Sequence, residues 1–370
     1  MLSEDRHEVI LRELALRGSL NVTEFAARMG ISGMTVRRDL AALDSKGLLH
    51  RVHGGATMGG PAGPSGAGRA SGNSMAGGSW RSGSRHPLAT IGMVVPSASY
   101  YFPGIIRGAE AAARESGVRL VLGISNYSGP EERRQIRRLL DSGVDGLMVT
   151  PSDETLAGSE TLLLLANADV PVVVVERSIE DALDDGSLES VRSDHVRGAE
   201  IAVNHLLSLG HQRITLCIRE GSPTASRLSE GYFLAMKRAG IPQDEGMVDK
   251  ISRAQSDPQG RRQMIDRILD WCVENRLTAA IVHNDEDALQ FANSCQERGI
   301  RVPEDLAIVA YDDEIAALGA IPLSAVAPPK YDVGHQALTM CLNRIVRRPG
   351  GALQRVNLSP TLVIRDSTRS

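Results

Sequence analysis

Two successive arginines, Arg37 and Arg38, follow a short run of small and hydroxylated residues, Ser32-Gly33-Met34-Thr35. Further along, Arg51 and His53 flank Val52 just ahead of the glycine pair Gly54-Gly55. Guanidinium, imidazole and hydroxyl donors at this density suit a polyanion. On a helix, neighbouring residues diverge by about 100°. One arginine of the pair can therefore meet a guanine edge or a phosphate while the other reaches a flanking strand.

Holding these groups in place takes three helices and a hairpin. Val9, Ile10, Leu14 and Leu16 recur at near-helical spacing before Gly18. Asn21 and Glu24 have the spacing of a capping box for a second helix over about 23–29. Gly30-Ile31-Ser32 makes a turn, and Ser32 caps a third helix running through Lys46. That helix has the apolar face Val36, Leu40 and Leu43, and Gly47 stops it. Residues 48–53 alternate as a strand before Gly54-Gly55 turns the chain. In such a winged helix-turn-helix the second helix crosses the backbone and the third lies in the major groove. The expected contacts to double-stranded operator DNA are Ser32, Met34, Thr35, Arg37, Arg38, Arg51 and His53. The plainer alternative is a solvated helix face on which Asp39 and Arg38 form surface pairs.

Charge is distributed in keeping with that expectation. The net charge of −4 conceals a basic start: residues 1–87 hold 11 Lys/Arg against 7 Asp/Glu, and no acid falls between Asp44 and Glu110. A basic unit on an acidic body fits a polyanion partner for the first part alone. No apolar run approaches the ~18 residues of a membrane span. The acidic N-terminus is unlike a secretory signal. Cys217, Cys272, Cys295 and Cys341 lie far apart with no metal-binding spacing. The expectation is a cytoplasmic protein with reduced thiols, no metal and no cofactor.

Three regions follow: a reader over 1–56, a linker over 57–86, and an α/β body over 87–370. Nine of the thirty linker residues are glycine, and apart from Trp80 there is almost nothing to bury. Such a segment reads as a disordered tether with a reach of about 30 Å. In the body, apolar strands alternate with amphipathic helices: strands near 89–95, 118–124, 146–150 and 170–176, then 213–218, 279–284 and 306–312. Two runs in series predict two lobes, each a doubly wound parallel sheet, with ligand at the carboxyl ends of the strands.

Two resemblances sharpen this. Thr35-Val36-Arg37-Arg38-Asp39-Leu40, Gly47-Leu48-Leu49 and Arg51-Val52-His53-Gly54-Gly55-Ala56 resemble the deoxyribonucleoside-regulator (DeoR) type of winged helix, over residues 6–56. Residues 89–365 resemble the sensor of lac-repressor-family regulators, which shares its fold with periplasmic sugar-binding proteins. That resemblance is carried by Ile91-Gly92-Met93-Val94-Val95-Pro96, Gly143-Val144-Asp145-Gly146-Leu147, Leu209-Gly210-His211, Asn284-Asp285 and Tyr311-Asp312-Asp313. It implies a ligand cleft lined by Ser97, Tyr100, Phe102, Thr150, Glu176, Arg177 and Arg192 on one side. Arg227, Asp285 and Lys330 would come from the other, with Asp285 and Arg227 foremost. Asp194 reads instead as a helix cap and His211 as a helix-to-strand corner.

Three departures from the family stand out. Arg227 is four residues before Gly231 where the family has three, which turns its aim by about 100°. Pro328-Pro329-Lys330 occupies a stretch that often carries glutamine, and the cation points to an anionic or phosphorylated ligand. The tether replaces a short hinge that folds on operator. The function implied is a DNA-binding regulator, a repressor, acting as a homodimer through its sensor. Its effector would be a sugar, sugar phosphate or nucleoside. The alternatives are a cytosolic sugar-binding receptor with no role in transcription, and an enzyme on a doubly wound fold. Against the last, no phosphate-binding loop, nucleophile elbow or zinc-protease motif occurs.

Overall fold

The computed structural model describes residues 6–7, 9–11, 13–14, 19–52, 54–57, 87–152, 156–179, 188–242, 248–251, 258–346 and 352–369. The linker reading (from 58 onward) and His53 lie outside these residues.

The N-terminal unit has helical residues at 6–7, 9–11 and 13–14, then strand β1 (Ser19–Asn21), helices α1 (Val22–Met29) and α2 (Gly33–Ser45), and the hairpin β2 (His50–Val52) and β3 (Gly55–Thr57). Asn21 caps α1 by accepting from the amides of Thr23 at 2.8 Å and Glu24 at 3.3 Å. Gly30, at φ +62°, ends it. Ser32 caps α2 through the Thr35 amide at 3.1 Å. The apolar faces of these elements meet in one core of Ile10, Leu14, Phe25, Val36, Leu40, Leu43 and Leu49. The strands order β1-β3-β2. Both wing glycines are required by geometry. Gly54 sits at φ +84°, and a Cβ on Gly55 would stand 1.8 Å from the Leu20 carbonyl oxygen.

The body is built on two six-stranded sheets. The first runs β14-β8-β7-β6-β4-β5, from β4 (Thr90–Val95), β5 (Arg119–Ile124), β6 (Gly146–Val149), β7 (Val172–Val175), β8 (Glu189–Ser193) and β14 (Arg355–Leu358), all parallel. The second runs β10-β9-β11-β12-β13-β15. It contains β9 (Ile214–Arg219), β10 (Val248–Ile251), β11 (Ala279–His283), β12 (Ala307–Tyr311), β13 (Ser324–Ala327) and β15 (Thr361–Val363), the last antiparallel. Continuous apolar strands such as Val172–Val175 are buried along their whole length, as expected where helices cover both sheet faces.

The first lobe carries α3 (Phe102–Glu115), α4 (Gly129–Asp141) and α5 (Glu160–Ala166). The second carries α6 (His195–Ser208), α7 (Ala225–Arg238), α8 (Pro258–Glu274) and α9 (Asp285–Glu297). Two runs in series were the expectation, and here the chain departs from it. After β13 it returns to the first lobe as α10 (Lys330–Val346), adds β14 there, and crosses back as β15. With the passage from β8 into α6, the described residues cross between lobes three times. The returning helix is seated by reciprocal glycines. A Cβ on Gly108 of α3 would come 1.9 Å from the Tyr331 carbonyl oxygen, and one on Gly334 of α10 would come 1.9 Å from that of Ile105.

Both contacts are to backbone, which cannot swing aside. Gly334→Ala should therefore cost about 2 kcal/mol or more of stability, read as a lower melting temperature of the full chain. Alanine at Gly143, whose Cβ would meet nothing within 4 Å but which has φ +75°, should cost about 1 kcal/mol.

Candidate functional site

The N-terminal unit presents one face of α2 and the wing. Ser32, Arg37, Arg38 and Arg51 are exposed, and Met34 is 73% exposed. Thr35 is half-buried, its hydroxyl 2.8 Å from that of Ser32. Neither Arg37 nor Arg38 pairs with a carboxylate among the described residues. The expected alternative, a surface pair between Asp39 and Arg38, is corrected here. Asp39 is buried and turns the other way, accepting from Arg6 at 2.8 and 3.2 Å with His7 at 3.2 Å. Burial alone would raise its pKa, but the Arg6 hydrogen bond and charge, aided by His7, hold it below the ordinary value. Asp39 therefore fixes α2 against the chain's first turn and leaves both neighbouring guanidiniums pointing to solvent.

The other site is a cleft between the lobes. Its inner chamber, about 210 Å³, takes Ser97, Tyr100, Tyr101, Phe102, Tyr127, Glu176 and Arg177 from the first lobe. From the second come Arg219, Ser222, Thr224, His283, Asn284, Glu286 and Asp312, together with His195 at the crossover. Most stand at or just past strand ends. Tyr100, at φ +57°, reaches across: its hydroxyl donates to Asp312 at 3.1 Å and accepts from the Asp285 amide at 3.2 Å. Burial first, and then the nearby Asp312 and Asp285, push the Tyr100 phenol far upward, so it stays a donor. Burial and then Asp285 likewise push the Asp312 carboxyl well above the carboxylate range.

Glu176 forms the shared wall. It is buried at φ +56° and accepts from the Ser193 hydroxyl at 2.7 Å, the Ser193 amide at 3.1 Å and the Tyr101 hydroxyl at 3.1 Å. His195 lies 3.5 Å away and places its other ring nitrogen 3.1 Å from Tyr311. Burial would raise the Glu176 pKa, yet His195 and Ser193 outweigh it and keep the carboxylate ionised. Beyond Arg177, His195 and Pro223 lies a second chamber of about 410 Å³, which Arg192 and Arg227 also line.

Of the expected ligand contacts, Ser97, Tyr100, Phe102, Glu176, Arg177, Arg192 and Arg227 line one chamber or both. Despite its shifted register, Arg227 spans the lobes, donating to the Ser178 hydroxyl at 3.0 Å. Three expectations need correction. Thr150 is buried at the end of β6 and lines neither chamber. The Asp285 carboxylate is taken up by the amides of Asp313, Glu314 and Ile315, at 3.2, 2.5 and 2.9 Å. Lys330 pairs with Glu314 at 2.7 Å and donates to the Asp312 carbonyl beneath the Tyr101 ring. Asp194 does cap α6, at 3.0 Å from the Arg197 amide. Sequence reasoning missed Tyr101, Tyr127, Arg219, Asn284 and His195 as lining groups. Arg219 and Asn284 stand where β9 and β11 end, a signal that was available. His195 follows β8, whose mixed sequence Glu-Ser-Val-Arg-Ser carries no strand signature.

With this geometry in view, comparison with known proteins decides the family. A periplasmic binding protein-like domain matches residues 203–368, and a DeoR-like helix-turn-helix domain matches residues 6–59. The HTH-type transcriptional repressor PurR of Haemophilus influenzae is 31% identical over 291 residues, 76% of this chain and 82% of its own. The chain belongs to the LacI family of transcription regulators. A LacI-family regulator from Enterococcus faecium with bound ribose superposes with a TM-score of 0.61 at 26% identity, covering 75% of this chain and 98% of that one. The arabinose metabolism transcriptional repressor of Geobacillus stearothermophilus is 26% identical over 352 residues, 94% of this chain and 90% of its own. A match of that length takes in the N-terminal unit as well as the body. This LacI-family member is a DNA-binding transcription regulator, and the proteins it matches are regulators rather than enzymes. No helix among the described residues is long and apolar enough to cross a membrane.

His283, on the inner chamber's wall, yields a pH prediction. Burial above all, then His195 and Arg219, lowers its pKa from 6.5 to about 3, and its Nδ1 has no partner among the described residues. The unfolded chain takes up a proton near pH 6.5, whereas the folded protein refuses it until about pH 3. Stability should therefore fall as pH drops through that window, by about 2 kcal/mol at pH 5 from this residue. Urea unfolding of the full chain at stepped pH should show the slope, and His283→Gln should flatten it.

Proposed function

We propose that this LacI-family regulator is a repressor whose hold on operator DNA is set by a sugar or sugar derivative closed between its lobes. The inner chamber carries the reading: Tyr100, Phe102 and Tyr127 face Arg219, Asn284 and Asp312 across it. A ligand shifts a two-state equilibrium only by its differential affinity for the two states. One that touches both walls favours the closed arrangement. Flat aromatic faces suit the apolar side of a pyranose or a base, a guanidinium gives hydroxyls charge-assisted bonds, and a protonated carboxyl both donates to and accepts from them. The arabinose repressor's name and the ribose in the Enterococcus structure make pentoses the first ligands to try.

In this reading the reader is a DeoR-type winged helix spanning 1–56. Ser32, Met34, Thr35, Arg37, Arg38, Arg51 and His53 meet the duplex, and Ser97, Tyr100, Phe102, Glu176, Arg177, Arg192 and Arg227 meet the effector. A homodimer joined through sensors at 87–370 presents two readers to a two-fold operator in the cytoplasm. Linkage raises a modest single-copy affinity through effective concentration. Effector closure changes the placement of the readers, for a coupling of about 1–3 kcal/mol.

A thermal-shift screen of pentoses, hexoses, their phosphates and nucleosides should find a ligand that raises the melting temperature of the full chain. In gel-shift titrations that ligand should change operator affinity about fivefold or more; no change would count against effector control. Arg37→Ala and Arg38→Ala should each weaken operator binding by about tenfold. Both side chains are exposed, so melting temperatures should hold.

A further inference from the structure

We propose that Tyr100 is a built-in stand-in for the effector: its hydroxyl occupies the place between Asp312 and Asp285 that an effector hydroxyl takes, and the effector must displace it to bind. The inference rests on the reading that a sugar or sugar derivative closes between the lobes, and it names the residue that sets the threshold for that closure.

Tyr100 belongs to the turn between β4 and α3 on the first lobe, whereas Asp285 and Asp312 follow β11 and β12 on the second. The hydroxyl donates to the Asp312 carboxyl at 3.1 Å and accepts from the Asp285 amide at 3.2 Å. One group therefore ties the lobes together as donor and acceptor at once. Burial, then the nearby Asp312 and Asp285, push the phenol far upward, so it keeps the proton that this bond needs.

The receiving side is stiff. Asp312 sits at φ +109°, a backbone that a non-glycine residue keeps only where its surroundings hold it. Its amide donates to the Val326 carbonyl at 3.0 Å, and its own carbonyl accepts from Lys330. The Asp285 carboxylate grips the amides of Asp313, Glu314 and Ile315, which makes the loop after β12 and the start of α9 one body. On that body the buried Asp312 carboxyl makes one side-chain hydrogen bond among the described residues, the one from Tyr100.

A carboxyl acceptor beside an amide donor is a receptor for an alcohol, and a sugar hydroxyl offers the same donor and acceptor as the phenol. Taking the phenol away without a replacement leaves a buried carboxyl unpartnered, which is costly. A ligand that brings its own hydroxyl to this place removes that cost. Tyr100 and Asp312 both line the inner chamber, so the exchange happens where the effector sits. Competition of this kind has the opposite sign to an ordinary contact. A side chain that touches the ligand strengthens binding, whereas one that holds the ligand's place weakens it, because its own bonds must break first.

Calorimetric titration of the full chain with ribose, arabinose and glucose compares the wild type with two variants. Tyr100→Phe loses only the hydroxyl. Tyr100→Asn suits the φ of +57° and is too short to span the chamber. Spin labels on Pro130→Cys and Glu220→Cys, exposed positions one on each lobe, report the interlobe distance by pulsed electron paramagnetic resonance. The native cysteines are buried and do not take the label. Both Tyr100 variants should bind a sugar about fivefold tighter or more. Before sugar is added their interlobe distance should be longer and broader than in the wild type, and saturating sugar should restore it. Weaker sugar binding by Tyr100→Phe makes Tyr100 an ordinary ligand contact and overturns the stand-in. So do affinity and distance that neither variant changes. A lengthened distance in proteins that bind none of the sugars keeps the cross-lobe hold of Tyr100 and overturns the sugar reading. No binding and no lengthening overturns both.

Discussion

Glu176 carries a charge out of water at the point where the two lobes meet, and its compensation organises the sensor. A buried carboxylate without partners costs several kcal/mol. Here the donors are the Ser193 amide and hydroxyl and the Tyr101 hydroxyl, with His195 close by. Meeting that demand fixes where β8 ends relative to β7 and where α6 begins. It also sets the rotamer of an aromatic in the cleft. His195 extends the chain of contacts to Tyr311, and so to the second lobe. The left-handed backbone at Glu176 is held in place by the same bonds. Both chambers owe their common wall to this carboxylate.

The reader has a smaller counterpart. Asp39 sits among the residues that most resemble a DNA signature, yet its work is internal. By drawing Arg6 and His7 inward it sets the angle of α2, while Arg37 and Arg38 remain in water. A run such as Arg-Arg-Asp thus mixes two duties that composition cannot separate. The direction of each side chain follows from helix phase and burial, since Asp39 lies on the same face as Val36, Leu40 and Leu43.

Periodicity made most of the fold legible, because buried parallel strands are unbroken apolar runs and their crossover helices are amphipathic. It failed where those rules weaken. Strand β8 contains Glu189, Ser190 and Arg192; β14 alternates polar residues at a sheet edge; and α10 begins directly after two prolines. Missing these three elements hid the returns of the chain. For the cleft, strand ends pointed to Tyr100, Glu176 and Arg177, which line the inner chamber. Asp285 and Lys330 misled because a charged residue past a strand has two uses, and here loop amides and Glu314 claimed them first. No local pattern distinguishes the two uses, since the claimants lie about 30 residues away for Asp285 and 16 for Lys330.

The three crossings also bear on how such a chain can be assembled from parts. Each lobe is discontinuous: the first is completed by α10 and β14, the second by β15. A single cut in the coding sequence cannot release either lobe without stripping a strand from its sheet, so the two must be inherited together. The N-terminal unit is one unbroken stretch joined at one point. Recombination can exchange such a unit whole, and here a match to a DeoR-like helix-turn-helix domain stands ahead of one to a periplasmic binding protein-like domain.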